Sequence, residues 1–391
     1  MAEKLRILEG MDVYLPDIDG VVNCLHNYSL NLHAKSEWRV MVPKNRKDYV
    51  DEQPYEIVRC FSLRVPILKD YYGLPRLDKK FKQEIENKKY DIVHLHSPFN
   101  MMRFGIKYAR KHNIPVVATF HSNMRPIYKS IFAFNFIVEA RMRRFGKLYN
   151  QLDEVFVCSP LVEEQIRSYG YTGKITYLPF GSDFNRCPNI EEYRKKGEEI
   201  FNIKEDELIF VFVGRVMKLK RIDFILESLK KVKENGYKFR FFIVGKGTDK
   251  EELERYAKEL GLEENVVFTG FIEREHFPYI YARSDLLLFP SLYDNFGLVK
   301  VEGAAFNTPG VFINNSCAGY GIQDGIDGYL SEDSVDAYAS KICEAIKDRE
   351  NLKKVGIEAS KNLYIHWSTC SDLLLKRLTE IVEEKKNENK K

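Results

Sequence analysis

The stretch Leu208-Ile209-Phe210-Val211-Phe212-Val213-Gly214-Arg215-Val216-Met217-Lys218-Leu219-Lys220-Arg221 is followed by apolar Ile222, Ile225, Leu226 and Leu229. The first six residues read as a buried strand. Gly214 permits a sharp turn, and the i, i+3, i+4, i+7 spacing beyond it reads as one face of a helix. Strand, glycine turn and helix make half of a βαβ unit, and the pattern repeats outward in both directions. Toward the carboxyl end, strand-like runs fall at 239–244, 266–269, 285–289 and 310–313; toward the amino end they fall at 5–8, 39–42, 91–95, 115–120, 154–158 and 175–178. Helix-length stretches such as 101–112 and 161–169 separate them. Two such series predict an α/β protein of two doubly wound, Rossmann-like parallel sheets. The pattern pauses at 181–202, where Cys187-Pro188-Asn189 and a charged run suggest a linker. The predicted domains are therefore 1–185 and 203–365, with 366–391 forming a late helix and a disordered KKNENKK tail.

With 391 residues, 44% hydrophobic and 30% charged, the chain has the size of a two-domain globular protein and not the composition of a disordered or collagenous one. The longest apolar run, 131–138, is broken by Asn135 and is far short of the about 20 residues a spanning helix needs. No secretory-signal pattern opens the chain, and its seven cysteines are scattered singly, which fits a reduced, cytoplasmic protein. The net charge of +4 hides an asymmetry: residues 1–185 hold 28 Lys+Arg against 21 Asp+Glu, or +7, leaving 33 against 36, or −3. No zinc-finger, zipper or RNA-binding signature accompanies the basic half, so nucleic acid is not expected as a partner.

Ligands of open α/β sheets bind at the carboxyl ends of the strands. There the turn 214–221 gathers cations suited to a diphosphate, although taken alone such a turn is more often a solvated loop than a phosphate site. It is neither GxxxxGK[ST] nor GxGxxG. After the strand at 285–289 comes Pro290-Ser291-Leu292-Tyr293-Asp294-Asn295-Phe296-Gly297-Leu298-Val299-Lys300-Val301-Glu302. Glu302 is expected about 7 Å along a helix that begins beyond Asp294, so two carboxylates face one ligand at different depths. An N-cap Asp294 with a solvated Glu302 fits the same residues. His94 and His96 lie on one face of a strand; with no acidic or cysteine neighbour in sequence to complete a ligand set, they read as structural or cleft-lining, and no metal is expected.

In combination these segments resemble family 4 retaining glycosyltransferases of the GT-B fold, in which the two sheets face a cleft. The resemblance rests on VGRVMKLKR and DNFGLVKVE, together with Pro16 to Val22, the HxH strand around His94 and His96, and Thr119-Phe120-His121-Ser122. It implies transfer of a hexosyl unit from a UDP- or GDP-sugar, with retention, to a lipid-linked or cell-surface saccharide or glycolipid. No cofactor or metal is implied. Arg215 and Lys220 then bind the diphosphate, Glu302 the ribose, and Asp294 the donor sugar. The amides of Phe296, Gly297 and Leu298 contact that sugar, Gly20 lies beneath the phosphates, and the backbone of Gly270, Phe271 and Ile272 reads the base. His121 supports the transition state, so the catalytic set is His121, Asp294, Arg215 and Lys220. The family usually has Glu where Asp294 stands, and often a second glycine beside Gly20. A nucleotide-sugar epimerase of the same fold and a donor-binding module without turnover are the alternatives. Residues 122–150, with six basic residues, one acid and an aromatic run, suit an anionic membrane surface on the inner face of the plasma membrane. A core helix with a basic outer face fits them too.

Overall fold

The computed structural model describes residues 4–17, 19–45, 49–65 and 70–389, and the chain divides into two compact units, 1–180 with 367–391 and 181–366. The first contains strands β1 (Arg6–Gly10), β2 (Glu37–Pro43), β3 (Glu56–Cys60), β4 (Ser62–Val65), β5 (Asp70–Gly73), β6 (Ile92–Leu95), β7 (Val116–Thr119), β8 (Glu154–Val157) and β9 (Lys174–Tyr177). Seven of them form a parallel sheet in the order β3-β2-β1-β6-β7-β8-β9, while β4 and β5 pair antiparallel. The second unit contains β10 (Ile209–Val213), β11 (Arg240–Val244), β12 (Val266–Gly270), β13 (Leu286–Phe289), β14 (Gly310–Ile313) and β15 (Tyr329–Ser331), in the parallel order β12-β11-β10-β13-β14-β15. Two doubly wound, Rossmann-like parallel sheets are therefore present, as the sequence predicts.

The central strands β6, β10 and β13 are buried along their whole length. Helices cover both faces of a parallel sheet, so such strands read as continuous apolar runs instead of alternating ones. The strands missing from the sequence reading are short or peripheral: β3 and β15 lie at sheet edges, and β4 and β5 make a two-stranded ribbon. In each sheet the strand order reverses once, between β1 and β6 and between β10 and β13. Crevices at carboxyl ends beside such switch points bind ligands.

The expected linker is corrected. Residues 181–202 belong to the second unit, and the charged run forms a helix, Ile190–Phe201, packed on the helix Phe277–Arg283. A Cβ on Gly197 would meet the Tyr279 carbonyl at 2.5 Å, and Glu198 pairs with the fully buried Arg283 at 3.0 Å. The charges are there because only one face of this helix is packed.

The C-terminal segment is also more ordered than expected. A helix, Trp367–Glu388, takes in most of the KKNENKK stretch, whose last two residues lie outside the described ones. It buries Trp367, Cys370, Leu374, Leu378 and Ile381 within the first unit, with Trp367 edge-on to Tyr28 at 5.2 Å. Arg377 makes a two-pronged bond to the buried Glu154 at 3.0 and 2.8 Å.

Candidate active site

In the second unit, the segments leaving β10 and β13 emerge side by side. The exit of β10 is bound to that of β11 through Gly214 N–H to Val244 O and Val216 N–H to Lys246 O, both 3.0 Å, and Gly245 N–H reaches Gly270 O at 2.9 Å. A Cβ on Gly245 would lie 1.9 Å from Gly214 O, and one on Gly247 would lie 1.8 Å from Val216 O. Only glycine lets these backbones meet, so the strand ends form a level floor. The sequence marks Gly214 as a turn residue but carries no sign of its partners Gly245 and Gly247.

On that side Lys220 ends a short 3-10 turn, and its Nζ lies 2.5 Å from Asp294 Oδ1. Asp294 Oδ2 accepts the Ser291 hydroxyl at 2.5 Å, while Ser291 Oγ accepts the N–H groups of Tyr293 and Asp294 at 3.3 Å. The loop thus holds the carboxylate against the lysine, whose Nζ also lies over the rings of Phe289 and Tyr293. Arg215 is exposed and, among the described residues, has no ion-pair partner. Arg221 does structural work instead, bonding Pro290 O at 3.3 Å and Asp333 at 2.5 Å.

Gly297 has φ +71 and starts the helix Leu298–Ala304, with Phe296 just before it; the first amides of a helix have no acceptor within it. Lys300, buried, donates to Ala318 O at 3.0 Å and Tyr320 O at 2.7 Å, drawing the 318–320 loop onto this helix. Glu302 is buried rather than solvated. It accepts the Tyr281 hydroxyl at 2.8 Å and an Arg274 N–H at 3.4 Å, and Arg274 is bonded to Asp183 as well, with Phe184 4.0 Å beneath its guanidinium. Burial pushes the Glu302 carboxyl above its ordinary range, and Arg274 and Tyr281 pull it back. Tyr281, Arg274 and Asp183 were not found from sequence, since nothing in their spacing marks them. Gly270, at φ +70, closes β12; Phe271 beside it is exposed, and Ile272 packs partly on the core.

The first unit carries a second cluster. β1 and β6 run in register with Glu9 opposite His94, and both residues are fully buried. Glu9 Oε2 lies 3.0 Å from His94 Nδ1 and 2.8 Å from His96 Nε2. His94 Nε2 bonds Thr119 Oγ1 at 2.8 Å, and His96 Nδ1 bonds His121 Nε2 at 2.8 Å. The centroids of these last two rings are 5.1 Å apart and their planes 20° apart, so they meet edge to edge, as an N–H···N bond requires; Phe180 lies near-parallel to His121 at 5.4 Å. Burial pushes all three imidazoles down to about 3 and the Glu9 carboxyl up.

The expectation that no acid accompanies the HxH pair is thereby corrected, because Glu9 comes from a neighbouring strand. Glu9, His94 and His96 hold three ligand-type atoms within 4.8 Å. Their closest spacings, 2.8 to 3.0 Å, are hydrogen-bond lengths, shorter than the about 3.3 Å that separates ligands around a tetrahedral ion. Nearby, Asp12 accepts the Ser97 hydroxyl at 2.9 Å and the Met101 N–H at 3.0 Å, and burial lifts it to about 6. Gly20 is the first residue of the helix Gly20–Leu32, capped by Asp19, whose carboxylate accepts the amides of Val21 and Val22 at 2.9 and 2.8 Å.

The family description "Glycosyltransferase Family 4" matches residues 18–186, and "Glycosyl transferases group 1" matches 194–362. The chain belongs to the family 4, group 1 glycosyltransferases. This glycosyltransferase is 26% identical to the alpha-monoglucosyldiacylglycerol synthase of Acholeplasma laidlawii over 78% of this chain and 79% of that one. It is 28% identical to an Escherichia coli UDP-Gal:alpha-D-GlcNAc-diphosphoundecaprenol alpha-1,3-galactosyltransferase over 69% of this chain and 70% of the other. In fold it is similar to Anabaena HepE, solved with UDP and glucose, at TM-score 0.76 and 17% identity over 96% of this chain and 99% of that one.

Proposed function

We propose that this glycosyltransferase moves a hexosyl unit, with retention at the anomeric carbon and without a metal, from a UDP- or GDP-sugar to a lipid-linked or cell-surface saccharide or glycolipid. The observation that carries the reading is the pairing of Lys220 with Asp294 beside the glycine floor of β10, β11 and β12. A cation held there by a carboxylate is ready to take up a diphosphate, and Arg215 at the end of β10 adds a second positive charge. The UDP in the HepE structure and the UDP-galactose and lipid acceptors in the relatives' names support this donor and acceptor class.

In the reaction, the bond from the anomeric carbon to the phosphate oxygen lengthens, and negative charge grows on the diphosphate. Lys220 and Arg215, already placed, stabilise that charge without reorganising. The acceptor oxygen forms its bond on the face the diphosphate leaves, and the acceptor's proton passes to the leaving phosphate. Asp294 is one methylene shorter than the family's usual Glu, so the sugar hydroxyl it holds is the point at which donor choice is set. Glu302 holds the ribose, the backbone of 270–272 reads the base, the 296–298 backbone contacts the sugar, and His121 supports the transition state.

We place the enzyme at the cytoplasmic face of a membrane. Among the described residues, no helix is long and apolar enough to span one. The helix Met124–Ile131 buries none of its residues, and Ile131, Phe134 and Phe136 are 57%, 61% and 69% exposed. The next helix, Asn135–Tyr149, buries Val138, Met142 and Phe145 and exposes Arg141, Arg143, Arg144 and Lys147. Exposed aromatics beside a basic face suit the interface of an anionic bilayer.

Thermal stabilisation of the protein by a panel of UDP-, GDP- and ADP-sugars tests the donor. A ligand at 100 times its Kd adds about 2.7 kcal/mol. A shift with one UDP- or GDP-sugar, followed by transfer with the same anomeric configuration in the product, is the expected result. Binding without transfer or slow hydrolysis over a broad acceptor panel would favour a module without turnover. Epimer formation without acceptor would make it an epimerase.

A further inference from the structure

Glu9, His94, His96 and His121 share their protons in a chain that allows very few arrangements. A neutral imidazole has one donor and one acceptor nitrogen, and an ionised carboxylate only accepts. With Glu9 ionised, His94 Nδ1 and His96 Nε2 both donate to it. His94 Nε2 then accepts the Thr119 hydroxyl, and His96 Nδ1 accepts Nε2–H of His121. The remaining edge of His121 is a lone pair on Nδ1. Placing a proton on Glu9 reverses this. The carboxyl group donates to His96 Nε2, His96 donates to His121 Nε2, and His121 carries N–H at Nδ1.

We propose that Glu9 is a positioning residue that acts through His96 to fix the tautomer and ring plane of His121, so that His121 offers the Nδ1 lone pair to a donating hydroxyl of its substrate. The role rests on the reading of His121 as part of the reacting centre. Phe180 lies near-parallel to the ring with its centroid 5.4 Å away, and the His96 bond fixes the ring's rotation. Glu9 is closed to solvent and reaches substrate only through this chain.

The Glu9→Gln variant imitates the protonated arrangement, since its amide N–H donates to His96 while its carbonyl accepts from His94. Long-range 15N–1H correlation spectra of the full chain, labelled at histidine, read the tautomers directly. At pH 8 the wild type is expected to carry the His121 proton on Nε2, and Glu9→Gln is expected to carry it on Nδ1. With UDP-glucose as donor, Glu9→Gln should lower kcat about tenfold or more while KM stays within about twofold, as expected for a wrong tautomer. A wild-type proton on His121 Nδ1, or a stoichiometric transition metal bound at Glu9, His94 and His96, would overturn the proposal. The wild-type spectrum decides even if Glu9→Gln fails to fold. His121→Ala separates the two readings: full turnover in that variant removes His121 from the reacting centre. If His121→Ala is inactive while Glu9→Gln turns over like wild type, the role of Glu9 alone fails.

Discussion

Lys220 Nζ and Asp294 Oδ1 lie 2.5 Å apart, although 74 residues separate them in sequence. The two come from the segments that leave adjacent strands, β10 and β13, and the contact joins the two motifs that carry the family resemblance. With side chains only 13% and 21% exposed, the pair is largely shielded from solvent. In the proposed function an incoming diphosphate competes with Asp294 for the lysine, which would couple donor binding to the position of that carboxylate.

Lys220→Ala is accordingly expected to weaken donor binding by one to two orders of magnitude, from loss of a charge-assisted bond of about 1.5–3 kcal/mol. Asp294→Glu, which restores the residue usual in the family, should retain turnover but alter the preference among donor sugars. Calorimetric titration with UDP and competition among UDP-sugars check the two. Unchanged UDP affinity in Lys220→Ala, or complete inactivity of Asp294→Glu, would contradict the assignment.

Glu302 supports a second prediction. Its carboxylate is buried and held by Tyr281 and Arg274. Tyr281→Phe removes one bond at constant shape and should cost about 1–3 kcal/mol in stability. Glu302→Ala should abolish most donor affinity through loss of the proposed ribose contact. If both variants bind UDP as wild type does, Glu302 is only a core residue.

The alternation of apolar runs with amphipathic stretches made both sheets legible, because central parallel strands are buried on two faces and display this as unbroken hydrophobicity. Edge strands lack that signal, which is why β3 and β15 were not foreseen. Lys220, Asp294 and Glu302 stood out through local motifs. Glu9 did not, because its meaning comes from the register of β1 with β6, across 85 residues; the available sign was a lone acid in the otherwise apolar Ile7-Leu8-Glu9 strand. Tyr281 and Arg274 are likewise brought to Glu302 by tertiary packing. The charged run of the helix Ile190–Phe201 misled because composition does not distinguish a linker from a helix packed on one face.

The histidine cluster predicts acid sensitivity with a definite sign. His94, His96 and His121 have folded values of about 3 against 6.5 for a free imidazole. Between these limits the unfolded chain binds more protons, so their contribution to stability is complete above about pH 6.5 and declines as the pH falls toward 3. Glu9, Asp12 and Glu302, raised by burial, work in the opposite direction and moderate this loss without cancelling the displacement of three imidazoles from 6.5 to about 3. The melting temperature should therefore fall steadily from pH 6.5 to 4.5, and it should fall less in a His94→Gln variant. A flat profile over that range would contradict burial of neutral imidazoles.

Arg377 anchors the C-terminal helix to Glu154, which is only 2% exposed and also bonded by Thr176. Burial alone raises the Glu154 carboxyl, but the bonds from Arg377 and Thr176 hold it below its ordinary range. Removing the guanidinium leaves a buried carboxylate with incomplete compensation, a change that costs about 3 kcal/mol. Arg377→Ala should lower denaturant stability by about that amount, whereas Arg377→Lys should recover part of it. A truncation at residue 366 that melts like the full chain would show that the helix contributes nothing to the first unit.

Membrane attachment is the last prediction, and two variants separate its apolar and electrostatic parts. Replacing Ile131, Phe134 and Phe136 with Ser removes exposed apolar surface without touching the buried Val138, Met142 and Phe145. Burial of apolar area contributes about 25 cal/mol per Å² and is insensitive to salt, so this variant should lose binding to vesicles containing anionic lipid at every ionic strength. Replacing Arg141, Arg143 and Arg144 with Gln should instead remove binding most strongly at low salt, at about 1 kcal/mol per basic residue, and leave a salt-independent remainder. Sedimentation with neutral and anionic vesicles at two salt concentrations distinguishes the two patterns. Equal recovery of all three proteins with both vesicle types would remove this surface from the membrane reading and leave the segment as a core helix with a basic outer face.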